Sequence, residues 1–235
     1  MVATLNVFCA GAAQAVVTEI AAKFQRDSGN FVAANFGAVG AMKARVVAGE
    51  PADVIILTAA LIDELIAQGL VVAGSRVDLG KVGTGVAVRA GTPLPDVTDI
   101  NVLRGNLLAA TRVLFPDPAV ATAGKVVMNA LDKMGIAAEL KSRLQFFPNG
   151  YAAMNDLAHS SGLNEIGITQ VTEIVANKGV TLVGPLPAEV QNIAVYSAGL
   201  AAQSSQPDVA RELIRRLTGF NAQPLLSAAG FDVGR

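Results

Sequence analysis

Leu5-Asn6-Val7-Phe8-Cys9-Ala10-Gly11-Ala12-Ala13, continued by Ala15, Val16, Ile20 and Phe24, decides the architecture. An apolar run of strand length meets a glycine turn, and the apolar residues beyond it fall on one face of a helix. The same cadence returns twice. Residues 30–36 read as a second strand, and Gly37-Ala38-Val39-Gly40 opens a helix through Met42, Val46 and Val47. After Glu50-Pro51 a third strand covers 53–57, followed by a helix carrying Leu61, Leu65 and Ile66 and ending at Gly69. Three successive strand–helix units predict an α/β protein with a parallel sheet.

Downstream, 80–89 has the period of a strand and Gly91-Thr92-Pro93-Leu94-Pro95 is a turn-rich break. Strands are then expected at 112–115, 144–147, 165–169 and 180–183, with a loop at 116–124 and helices at 125–134, 150–158 and 172–177. Residues 192–198 read as a strand running back, and 208–217 and 223–229 as closing helices. Crossings near Gly80 and Ile193 predict a discontinuous first lobe, 1–79 with 194–235, and an inserted second lobe, 80–193. Such a fold places its ligand at the carboxyl ends of strands and the amino ends of helices.

Composition excludes several classes. The 235 residues are 52% hydrophobic and 16% charged, with 18 Lys plus Arg against 19 Asp plus Glu. A disordered chain lacks that apolar content, and a nucleic-acid binder carries a basic surplus. Mean hydropathy is positive at +0.47, yet Ala and Val dominate and polar residues interrupt every apolar run before the roughly 18 residues of a membrane span. One cysteine, Cys9, and one histidine, His159, exclude an intrachain disulfide and leave no metal-ligand cluster. No tryptophan and only two tyrosines argue against a sugar-stacking site. No secretory leader is read before the first strand, which suits a cytoplasmic chain or a mature exported one. Nothing marks an apolar interface, so a monomer is expected.

Three loop-to-helix junctions are small and glycine-bearing: Ala10-Gly11-Ala12, Gly37-Ala38-Val39-Gly40 and Thr122-Ala123-Gly124. Backbone N–H groups at a helix amino end carry partial positive charge, so several such ends gathered at one place favour an anion. The alternative is that the glycines only permit tight turns and close packing. Neither a G-x-G-x-x-G turn nor a Gly-Lys-Ser/Thr phosphate loop occurs, so no nucleotide cofactor is expected. A catalytic serine elbow is absent too, and Ser160-Ser161-Gly162 beside His159 reads as a helix terminus.

Ala48-Gly49-Glu50-Pro51-Ala52-Asp53-Val54, with Phe36 to Met42 ahead of it, resembles the A-G-x-P-A-D-[VL] stretch of the periplasmic molybdate-binding proteins of ABC importers. Residues 5–12 are similar to that family's opening V-F-A-A-A-S. Pro116-Asp117-Pro118 with Thr122-Ala123-Gly124 resembles its D-P-x-x-x-P-A-G loop, Glu165 to Thr169 its G-I-V-Y, and Ala176 to Val180 its S-K-G-V. The resemblance implies a two-lobe type II periplasmic binding protein, with two parallel or mixed sheets flanked by helices, a hinge and a central cleft. It also implies a periplasmic location and a membrane permease as partner.

Where the family grips a tetrahedral oxyanion with two serines, backbone amides and a tyrosine, the matched places hold Ala12, Ala38 or Val39, Ala123, Pro148 or Asn149, and Gln170. Each lost hydrogen bond to a charged acceptor removes about 1.5–3 kcal/mol, so molybdate binding is expected to fall by several orders of magnitude. A small organic carboxylate fits the roomier site. The residues expected to line it are Gly11, Ala12, Ala38, Val39, Ala123, Gly124, Asn149 and Gln170, with Lys43, Arg45, Arg112 and Lys125 as candidate charge partners. Two alternatives stand beside it: an isomerase of an unsaturated tricarboxylate such as aconitate on the same scaffold, and molybdate or tungstate held by backbone amides. No residue singles itself out as a catalytic base.

Overall fold

The computed structural model describes residues 2–234. The chain divides into two compact units, one running to Val82 and resuming at Ala194, the other Gly83–Ile193.

In the first unit β1 (Thr4–Ala10) leads through a single 3-10 turn, Gly11–Ala13, into α1 (Gln14–Ser28). Its last five residues save one are fully apolar and buried on both faces, as an interior parallel strand requires. α1 buries Val16, Val17, Ile20 and Phe24 and stops at Gly29, whose φ of 74° is the left-handed cap that glycine accepts without strain. Then follow β2 (Phe31–Gly37), α2 (Val39–Val47), β3 (Val54–Thr58) and α3 (Ala59–Ala67). Both β2 and β3 pair with β1 in parallel, Ala10 opposite Gly37 and Cys9 opposite Ile56. Three strands therefore end along one edge, and the turns leaving them stand side by side.

The chain enters the second unit within β4 (Val77–Arg89), which begins three residues before the expected start. Next comes α4 (Ile100–Ala109), a helix not among the expected elements, in which Asn101, Gly105 and Asn106 interrupt a core-facing stripe of Ile100, Leu103, Leu107 and Leu108. Its sign is the cap: the Asp99 carboxylate accepts the N–H groups of Asn101 and Val102. β5 (Arg112–Pro116) is followed by α5 (Thr122–Lys133), which starts three residues earlier than expected and shortens the predicted loop. The rest of the unit is α6 (Ala137–Leu140), β6 (Leu144–Phe147), α7 (Gly150–His159), β7 (Glu165–Gln170), α8 (Val171–Val175) and β8 (Val180–Pro185). β5 lies between β6 and β7, parallel to both, and β4 runs antiparallel to β7 and β8.

β9 (Ile193–Leu200) returns to the first unit and pairs antiparallel with β3, Tyr196 opposite Thr58. α9 (Pro207–Thr218) buries Ala210, Leu213, Ile214 and Leu217, and α10 (Gln223–Ala228) closes the chain. Among the described residues no helix is long and apolar enough to cross a membrane.

The Pro51-Ala52-Asp53 motif is a structural fastening. Asp53 is buried; one carboxylate oxygen accepts the Asn6 N–H at 2.8 Å and the other the Ser204 hydroxyl at 2.6 Å. Its own N–H donates to the Asn6 carbonyl at 2.8 Å. One side chain thus ties the start of β1 to β3 and to the segment after β9. Asp53→Ala leaves a buried amide and a hydroxyl without their charged acceptor, and is expected to cost about 3 kcal/mol in urea unfolding. An unchanged midpoint would remove Asp53 from this role.

Candidate functional site

Each unit presents one edge where parallel strands end and helices begin. In the first unit Gly11 and Ala12 lie buried in the turn after β1, Ala38 caps α2, and Val39 is its first residue. The pairing of Ala10 with Gly37 makes these two turns neighbours. Ala38 offers no side-chain acceptor, and the N–H groups of Val39, Gly40 and Ala41 have none among the described residues. The amino end of α2 is open.

In the second unit Pro116 stands opposite Phe147, and Leu114 opposite Gly167, so β5, β6 and β7 finish together. Ala123 and Gly124 are the second and third residues of α5, capped by Ala121 without a side-chain bond. A Cβ on Gly124 would meet the Pro116 carbonyl oxygen at 2.1 Å, so glycine is what lets α5 press onto the end of β5. The N–H groups of Thr122, Ala123 and Gly124 also find no acceptor among the described residues. Both readings of this glycine hold together: close packing fixes the helix, and its amino end stays open.

The amino end of α7 differs. Asn149 is at the expected edge, but its side-chain oxygen accepts the Ala152 N–H at 2.9 Å and is spent as a cap. The Gly150 N–H goes to Glu173, a buried carboxylate in α8 that also accepts from the Gln170 N–H and, at 2.5 Å, from the Thr169 hydroxyl. A Cβ on Gly150 would lie 1.9 Å from that carboxylate. The chain thus supplies an internal anion to this edge. Burial pushes the Glu173 pKa up to about 7, against the three donors that favour the ionised form.

Gln170, the last residue of β7, is 4% exposed, and its side-chain oxygen has no hydrogen-bond partner among the described residues. Thr84 stands directly across from it on β4, and the hydroxyls of Thr84 and Thr172 are buried and unpartnered as well. These three, with Glu173, are polar groups of the edge; of them the sequence pointed only to Gln170. The Thr84–Gln170 pairing is a property of strand register, and Glu173 reads in sequence as an ordinary acidic residue in a first helical turn.

Three of the four expected charge partners are committed elsewhere. Lys43 pairs with Glu64. Arg45 lies over the Phe8 ring at 4.2 Å and bonds Glu50 at 2.8 Å, a contact that raises its already high pKa. Arg112 begins β5, at the end away from the candidate edge, and holds Asp156 at 2.6 Å and Glu165 at 3.0 Å. Only Lys125, exposed in α5, makes no ion pair among the described residues. Cys9 is fully buried, its thiol donates to the Ala10 carbonyl, and burial pushes its pKa up, away from a reactive thiolate. Among the described residues no group of three His, Cys, Asp or Glu side chains is placed to hold a metal ion.

The raised Glu173 pKa has a sign in stability. Between about 4.5 and about 7 the folded chain keeps a proton that the unfolded chain releases, so stability present below that window is lost as pH rises through it. Glu173→Gln, which does not titrate, should gain on the native chain by about 3 kcal/mol across the window and hold a constant difference above it. Urea midpoints of the two chains measured from pH 4.5 to 8 check this; parallel curves would contradict it.

The profile of the family described as bacterial extracellular solute-binding protein matches residues 5–232. A protein named aconitate isomerase, from a Pseudomonas species, is 27% identical over 237 residues, covering 97% of this chain and 87% of its own. The periplasmic molybdate-binding protein of Azotobacter vinelandii is 22% identical and superposes with a TM-score of 0.82, covering 98% of this chain and 100% of its own. The sulfate-binding protein SubI of Mycobacterium tuberculosis H37Rv is 19% identical with a TM-score of 0.74, covering 97% and 86%. The α/β fold is that of the periplasmic binding proteins, and the chain belongs to the bacterial extracellular solute-binding protein family.

Proposed function

We propose that this solute-binding protein takes a small organic carboxylate, outside the cytoplasm, and delivers it to an ABC permease in the membrane. The observation that carries the reading is the pair of open helix amino ends, α2 in the first unit and α5 in the second, at edges that lack hydroxyl side chains at Ala12, Ala38 and Ala123. Peptide N–H groups with no acceptor of their own are matched to a carboxylate's oxygens. The proposed contacts are Gly11, Ala12, Ala38, Val39, Ala123, Gly124 and Gln170, with Lys125 as the available cation. Asn149 caps α7 through its side-chain oxygen, which leaves its amide NH2 as a further donor for the ligand.

Molybdate and sulfate, which the names of two structural relatives carry, are the weaker fit here. A compact tetrahedral dianion needs donors on all sides, whereas the serine hydroxyls that would supply them are replaced by Ala12 and Ala38 and the donors left are chiefly backbone amides.

The isomerase reading rests on one observation, the 27% identical relative. Shifting a proton in aconitate needs a base within about 3 Å of the substrate carbon. Glu173, whose pKa suits such a task, is turned inward onto Thr169 and two amides.

Calorimetry with citrate, cis-aconitate, molybdate and sulfate tests the proposal. A carboxylate is expected to bind at least about tenfold more tightly than molybdate, and micromolar molybdate binding would overturn the preference. Ala38→Asp provides α2 with its own acceptor, so it should stabilise the fold by about 1 kcal/mol while weakening the carboxylate about tenfold or more. Unaltered affinity would exclude the amino end of α2. Incubation with cis-aconitate, followed by ultraviolet absorbance, should show binding without turnover; sustained isomerisation would establish the enzyme instead.

A further inference from the structure

The second unit holds a cavity of about 340 Å³ lined by Arg89 at the end of β4 and Glu165 at the start of β7. Glu165 and Gln170 are the two ends of one strand, about 16 Å apart at the usual rise per residue, so this cavity and the candidate edge are separate places.

Arg89 is the feature that sets it apart. Its guanidinium makes no ion pair or hydrogen bond among the described residues, and its Nε is sealed from solvent with no acceptor. Glu165, the carboxylate in the same lining, is already held by Arg112 at 3.0 Å, in a network that Asp156 completes. Arg89 itself is only partly buried, but a guanidinium nitrogen shut off from water without an acceptor is uncommon in folded proteins and marks a place where an acceptor is wanted. The remaining wall is mostly apolar, with Thr92 and Asn164 as its polar members. Val88 and Ile166 are buried at the cavity, while Leu94 and Leu163 line it at 58% and 76% exposure, large hydrophobic side chains standing largely in water. Two other surface hollows lack this combination. In one, Arg216 already pairs with Asp27 and Glu212; in the other, the Asp96 carboxylate is held by Thr98.

We propose that this cavity binds a short aliphatic carboxylate, its charged end received by Arg89 and its hydrocarbon laid along Leu94 and Leu163. The guanidinium fork offers a carboxylate two parallel donors, and the exposed leucines lose water when a chain of a few carbons covers them. The site shares no residue with the proposed transport ligand's contacts and stands or falls apart from it.

The Arg89 Nε–H resonance of the 15N-labelled full chain, titrated with butyrate, butanol and inorganic phosphate, reads the site directly. Butyrate should move it along a saturation curve, butanol should leave it in place, and phosphate should need at least about tenfold higher concentration. Arg89→Gln should weaken butyrate about tenfold or more and Leu163→Ala about threefold, both read from ligand line broadening. No saturable shift, equal potency of phosphate and butyrate, or unchanged butyrate affinity in Arg89→Gln would each overturn the proposal. The wild-type titration decides the matter even if a variant fails to fold.

Discussion

Parallel strand register is the constraint on which the rest of this molecule depends. Because β1, β2 and β3 point the same way, and β5, β6 and β7 do likewise, their connections to the following helices collect on one edge of each unit. Every helix leaving such an edge arrives with N–H groups that have no partner inside the helix. What the chain does with those groups distinguishes structure from function. At α7 it closes them, with Asn149 and with the buried Glu173 carboxylate. At α2 and α5 it places alanine where a cap would stand and leaves them open.

Recognition of the kind proposed here needs few formal charges. Lys43, Arg45 and Arg112 have the right charge for an anion but are bound to acidic partners of their own. The pairs of Lys43 and Arg45, partly exposed, add little to stability, whereas Arg112 holds the buried Glu165. Glu173 adds a counterweight, an anion of the protein's own beside Gln170, with protonation that shifts near neutral pH.

Much of this was legible in the sequence. The alternation of apolar runs with helical stripes gave the α/β class and most element positions, because each strand of a parallel sheet is apolar on both faces and contrasts sharply with its flanking turns. α4 escaped because Asn101, Gly105 and Asn106 interrupt its stripe of Ile100, Leu103, Leu107 and Leu108, and its start is marked by one capping aspartate. The turns at Gly11, Ala38 and Gly124 were found from local chemistry alone. The acidic partners of Lys43, Arg45 and Arg112 were not legible, since whether an arginine meets an internal carboxylate depends on residues as distant in sequence as Glu165 from Arg112, while Lys125 keeps its place as the available cation. Glu173 and Thr84 were invisible for the same reason: their meaning lies in the contact of Glu173 with the amide of Gly150 and in the pairing of Thr84 with Gln170.

The central claim is that open helix amino ends, and not side-chain hydroxyls or cations, receive the ligand. Backbone amide resonances followed during a citrate titration test it most directly. The account predicts saturable shifts at Val39, Gly40 and Ala41 and at Thr122, Ala123 and Gly124, with Gly150 and Ala152 undisturbed because their acceptors are internal. Citrate binding that moves Gly150 and Ala152 and leaves the other six amides in place would contradict it.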